Sequence, residues 1–191
     1  MKAVMETFVE RAERIHCGCV DPSEDNFLKI TNDARLLGTD ARLLSPDAPE
    51  NPDGKLSKVA QNILYEYGRA KDLGMTATQL VFSDIGTPKP GMFNVYDCIR
   101  EKLVEGGIPK EEVAFIHEYD TDASRQTLFQ KVRSGRIKVL IGSTDKCGTG
   151  VNVQDHAIAL HHIDCPWTPM RIEQREGRIL RQGNKNAEVA V

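Results

Sequence analysis

No apolar run in this 191-residue chain approaches the ~20 residues that a membrane-spanning helix needs. The opening stretch MKAVMETFVERAERI carries charges where a secretory signal would be apolar. These absences predict a soluble cytoplasmic protein with no membrane partner. There is also no Cys-x-x-Cys among the five cysteines at positions 17, 19, 98, 147 and 165, and an odd set of this kind argues against a disulfide framework or a paired-cysteine zinc site. His16, Cys17 and Cys19 have metal-binding residue types but no second pair at ligand spacing, so no metal site is expected. Missing too are a G-x-x-x-x-G-K-[ST] loop and an Asp-Glu pair after an apolar strand. The chain therefore lacks a phosphate-cradling loop and a magnesium carboxylate of its own.

What is present is ordinary globular material. Hydrophobic residues make up 40% and charged residues 28%, which excludes a disordered, collagenous or coiled-coil chain. The length fits one domain with a helical appendage. The net charge of −3 gives no global case for a polyanion partner, but its distribution is uneven. From Arg125 onward there are 11 Lys and Arg against 6 Asp and Glu, so any anion-binding surface belongs to the last third.

Residues 1–45 read as helices: Val4, Phe8, Ala12 and Ile15 form one stripe, and a second helical pattern spans about 25–44. The stretch SPDAPENPDG (45–54) ends them with three prolines, a glycine and three acids. The main boundary is placed there, with a helical extension and linker over 1–56 and a domain over 57–191. Beyond it a helix at 57–73, a short apolar strand at 79–82, a helix at 93–105, a strand at 113–116, a helix at 124–134 and strands at 137–141 and 157–163 alternate. A helix begun by Thr168 and Pro169 and the start of a strand at 188–191 complete the pattern. Such alternation predicts an α/β fold with a doubly wound parallel sheet, and a chain stopping inside a strand pattern predicts a fragment of something larger. Ligands of such sheets bind outside the carboxyl ends of the strands, which here selects the loops after Phe82, Ile141 and Ile163.

The richest stretch is QREGRILRQGN, residues 174–184. On a continuous helix Arg171, Arg175, Arg178 and Arg181 share an arc of roughly 120°, and planar guanidinium forks suit phosphate recognition. A solvated basic face is the alternative. Gly177 favours the first reading, because a mid-helix glycine costs ~1 kcal/mol relative to alanine and signals a close backbone approach. The second stretch, GSTDKCGTGVNVQ (142–154), follows a strand, and its glycines at 148 and 150 leave amide groups open to an anion or ribose, or simply turn the chain.

Taken in order, these stretches resemble the second motor domain of superfamily-two helicases, most closely the Swi/Snf-like DNA translocases. QLVFSD (79–84) looks like the family's fourth motif, and FIHEYDTDASRQTLFQKV (115–132) is similar to its histidine-arginine-leucine-x-x-phenylalanine run at His117 and Arg125. STDKCGTGVN (143–152) resembles motif five, DCPWTP (164–169) resembles Asp-x-x-Trp-Asn-Pro, and QREGRILRQGN matches motif six at Gln174, Gly177, Arg178, Arg181 and Gly183. The departures are Thr168 for Asn, Leu180 for His, Asn184 for Gln and Glu118 for Gly.

The resemblance implies a RecA-like, P-loop NTPase-type fold and a part in an ATP-dependent DNA helicase or translocase of bacterial or mobile-element kind. It implies that ATP with Mg2+ is held mainly by a first motor domain, over which this one closes. Arg178 and Arg181 would then be arginine fingers, with Gln174 near the γ-phosphate or attacking water. Gly148, Gly150 and Asn152 would border the ribose side of the cleft. Ser83, Thr144 and Arg125 would face nucleic-acid phosphates, while Trp167, the one tryptophan, either stacks on nucleic acid or anchors packing. The rival reading is a non-catalytic doubly wound module that docks proteins through its basic helix.

Overall fold

The computed structural model describes residues 2–147 and 152–191. Its N-terminal part is helical, with α1 at Lys2–His16 and α2 at Phe27–Thr39, followed by a 3-10 turn at Ala41–Leu43. Asn26 starts α2 by accepting the Lys29 amide at 2.9 Å, which satisfies one of the donors a helix N-terminus leaves open. Arg11 ties the two helices together through Asp25 at 2.7 Å and Asp33 at 2.8 Å.

After the acidic loop come α3 (Lys55–Asp72), β1 (Thr78–Phe82), α4 (Val95–Glu105), β2 (Val113–Phe115), α5 (Asp122–Arg133), β3 (Val139–Gly142), β4 (Ala157–His162) and α6 (Pro169–Glu176). All strand pairs are parallel, in the order β2-β3-β1-β4. Alternate residues of the strands serve two cores. Val81, Val113, Phe115, Val139 and Ile141 pack with Leu56 and Ile63 of α3 and Tyr96, Ile99 and Leu103 of α4. Leu80, Phe82, Ala114 and Leu140 pack with Leu128, Phe129 and Val132 of α5 and with Ile179. Because strand side chains alternate with period 2, strands clothed on both faces read as unbroken apolar runs, and this is the doubly wound α/β fold expected from the sequence.

The differences lie at element ends. The strand expected at 188–191 is one parallel bridge, Ala190 to Ala159. Cys17 and Cys19 are joined as a disulfide just past α1, where the sequence suggested no pairing. Between β1 and α4, Gly86 sits at φ +61°, and a β-carbon there would come within 2.5 Å of Val95 and 2.9 Å of Leu43. That loop is closed by the Val95 amide donating to the Gly86 carbonyl at 2.9 Å. Among the described residues, no helix is long and apolar enough to cross a membrane.

Candidate nucleotide and nucleic-acid interface

Three strands end side by side, and the residues just beyond them converge on one side chain. Arg175 of α6 has a fully buried side chain whose guanidinium meets Asp84 (after β1) at 2.9 Å and Asp164 (after β4) at 3.0 Å. Its Nη1 donates to the Asp164 carbonyl at 2.9 Å and its Nε to the Thr144 hydroxyl, after β3, at 2.7 Å. Thr144 in turn donates its amide and hydroxyl to the Asp84 carboxylate at 2.6 and 2.8 Å, and the Asp84 amide donates to Asp164 at 3.0 Å. Arg35 of α2 reaches Asp164 at 3.5 Å, and Arg171 reaches Asp84 at the same distance.

Buried charges must be paired and fully hydrogen-bonded to be tolerated, and this cluster meets that condition with groups from three loops and two helices. Burial pushes the Asp84 carboxyl up, but hydrogen bonds from Thr144 and the charge of Arg175 outweigh it and hold it below its ordinary value. The network pins α6, and everything that follows it, to the carboxyl edge of the sheet.

Several expectations need correction here. The four arginines do not share one helical face, because α6 stops at Glu176. Gly177 caps its end at φ −59°, an ordinary helical angle, and a β-carbon there would lie 3.0 Å from the Glu173 carbonyl of its own helix. Arg175 and Arg171 are engaged with carboxylates rather than presented to an anion. Nor do Ser83 and Thr144 face outward. Ser83 is fully buried with its hydroxyl on the Ile85 carbonyl at 2.7 Å, and Thr144 is buried inside the Arg175 network. Ser83 follows β1 directly and is enclosed by the packing that ends the strand, whereas Thr144, two residues past β3, is drawn inward by Asp84 and Arg175.

Three other expected residues do come together. Arg178, half-buried, and Arg181, exposed, line an open concavity of about 660 Å³ with Asn152, Gln154 and Gln182. Gln154 braces its floor by donating to the Gln182 carbonyl at 3.1 Å. Gly148 and Gly150 lie outside the described residues. Gln174 is exposed on α6. Arg125 is half-buried at the start of α5, its Nε on the Tyr119 carbonyl at 3.0 Å.

Trp167 is 60% exposed, with the Arg35 guanidinium 4.6 Å from its ring centroid. His117 packs its ring edge-on against Tyr96, and burial lowers its pKa. His161 is likewise lowered, to about 4, chiefly by burial, and its Nε2 lies 2.8 Å from Gln79. Burial raises the Cys147 thiol to about 12, which removes it as a nucleophile.

Sequence reasoning missed Asp84, Asp164, Arg175 in its buried role, and Arg35. The first two were visible as acids placed just after apolar strands, where a solvent-facing loop is the simpler expectation. Arg35 carried no signal, since its partners lie about 130 positions away.

The description "Helicase conserved C-terminal domain" matches residues 92–183. An uncharacterized ATP-dependent helicase of Bacillus subtilis (strain 168), YqhH, is 49% identical over 53 residues, which are 27% of this chain and 9% of that protein. The defense against restriction protein B of Escherichia phage P1 is 37% identical over 59 residues, 31% of this chain and 3% of that protein. The matched segments therefore span a small part of these relatives. A solved structure described as the C-terminal part of the Fun30 ATPase domain shares the fold, with a TM-score of 0.51 and 21% identity over 77% of this chain and 44% of that one. Residues 92–183 are thus similar to the helicase conserved C-terminal domain, and the chain shares the fold of the C-terminal part of the Fun30 ATPase domain.

Proposed function

We propose that this chain is the second motor domain of an ATP-dependent DNA helicase or translocase, with residues 1–56 as a helical extension and linker before it. The concavity lined by Asn152, Arg178 and Arg181 carries this reading: it sets two guanidinium groups at the edge of a domain that has no phosphate loop of its own. A site with charge-stabilising forks but no cradle is suited to complete another domain's nucleotide site. ATP with Mg2+, held mainly by a first motor domain, supplies the phosphoryl-transfer chemistry. In this reading Arg178 and Arg181 stabilise charge developing on the phosphate oxygens, and Gln174, exposed on α6, orients a water. Asn152 borders the ribose side of the cleft.

DNA would run past Trp167, with Arg125 near it, while Ser83 and Thr144 act from within by holding the loops that border the track. The motif order and DCPWTP support a Swi/Snf-like subtype. The relatives, one bacterial and one from a phage, support a bacterial or mobile-element setting, and a cytoplasmic location is part of this proposal. In the full-length parent, Arg178→Ala and Arg181→Ala should each reduce steady-state kcat by ~10³ or more with KM for ATP little changed, and lysine should rescue poorly because it loses the planar fork. Turnover within twofold of wild type for both would overturn the assignment.

A further inference from the structure

Arg35 belongs to the helical extension, yet it makes three contacts with the loop that carries Trp167. Its Nη2 donates to the Cys165 carbonyl at 2.8 Å and lies 3.5 Å from Asp164, and its Cζ sits over the Trp167 ring, 4.6 Å from the centroid. The loop is framed by Pro166 and Pro169, and the indole remains 60% exposed, so it is not a packing anchor. An aromatic ring this open would sample several orientations. A cation on one face, itself fixed by a carbonyl and a carboxylate, selects one of them and leaves the other face to solvent.

We propose that Arg35 is a positioning residue that sets Trp167 as a stacking platform for a nucleic-acid base, so that the helical extension is part of the nucleic-acid track. A flat π-face in a basic part of the chain suits a base, which presents its own π-face whatever its sequence. The contact between Arg35 and Trp167 stands on geometry alone; the identity of the ligand rests on the motor-domain reading. The same guanidinium also touches Asp164, a partner of buried Arg175, which links the extension to α6, just before Arg178 in the chain.

Trp167 is the single tryptophan, so its fluorescence reports this contact directly in the 191-residue chain. Acrylamide quenching should rise in Arg35→Ala and rise less in Arg35→Lys, which keeps the cation but cannot both cover the ring and reach the Cys165 carbonyl. Melting temperature and far-ultraviolet circular dichroism check the fold. Should the alanine variant unfold, Arg35→Gln and Arg35→Lys carry the same comparison.

Binding is then read at low salt by the anisotropy of a labelled oligothymidylate. Trp167→Ala should weaken it about tenfold, as expected for loss of one stacked base. Arg35→Ala should weaken it about two- to fivefold, the scale of one partly exposed cation–π contact. Unchanged quenching in a folded Arg35→Ala variant overturns the positioning role. Increased quenching with unchanged oligonucleotide affinity overturns its part in the track. Wild-type binding that Trp167→Ala leaves intact overturns the platform, and the turnover test of Arg178 and Arg181 separately decides the motor reading.

Discussion

Replacing Arg175 by methionine removes the one cation that touches both buried carboxylates while keeping an unbranched side chain in the space. Asp164 is 1% exposed and Asp84 20%, so neither can turn fully to water when the guanidinium is gone. Removing one partner of a buried ion pair costs about 3–5 kcal/mol, because the charge left behind stays desolvated. For a chain of this size each kcal/mol lowers the melting temperature by roughly 2–4 °C, so the variant should melt about 6–20 °C below wild type at pH 7. The effect has a pH signature. In the wild type the Asp84 carboxyl titrates below its ordinary value, so its contribution is present above ~3.9 and is lost as the pH falls through the lower folded value. In the variant, burial opposes ionisation with only the 3.5 Å contacts of Arg171 and Arg35 and the Thr144 hydrogen bonds to offset it. Its deficit should therefore be largest near neutrality and shrink as acid protonates the carboxylates. Urea unfolding followed by circular dichroism from pH 7 down to pH 4 measures both quantities. A deficit below about 1 kcal/mol at pH 7, or one independent of pH, would refute the view of Arg175 as the buried pin of the site.

His161, lowered to about 4, is neutral in the folded protein where the unfolded chain, at ~6.5, is already charged. Its contribution is thus present above pH 6.5 and lost as the pH falls toward 4, and His161→Gln should flatten the stability profile in that window by up to about one proton; an unchanged slope would count against it. Gly86→Ala should cost about 2–4 kcal/mol in urea unfolding, from a left-handed backbone angle combined with overlap on Val95 and Leu43. Purified alone, the 191-residue chain should release no phosphate from ATP with or without DNA, since it has no phosphate-loop lysine. Steady DNA-stimulated release from a preparation free of contaminating ATPase would contradict that.

The layered fold was legible because parallel strands buried on both faces leave short unbroken apolar runs, such as 80–82 and 139–141, between amphipathic helices. Motif six was legible as a set of residue types, but its conformation was not. A period of 3.6 carried past Gly177 put four arginines on one face, whereas the helix ends at Glu176 and Arg171 and Arg175 are held by tertiary ion pairs. Ser83 and Thr144 show the limit more sharply. Whether a hydroxyl after a strand turns outward or inward depends on a partner such as Asp84 or Arg175, and no local pattern encodes that choice. The Arg35 contact depends entirely on how the first helices dock, which is why only the three-dimensional structure displays it.

A single-turnover experiment on the full-length parent tests the central claim most directly, because it separates phosphoryl transfer from nucleotide binding and from product release. With enzyme in excess over radiolabelled ATP and DNA present, Arg178→Ala and Arg181→Ala should bind ATP within about threefold of wild type yet cleave it ~10³-fold more slowly, the signature of groups that act on transition-state charge. Cleavage at the wild-type rate, or a loss confined to ATP affinity, would contradict the account.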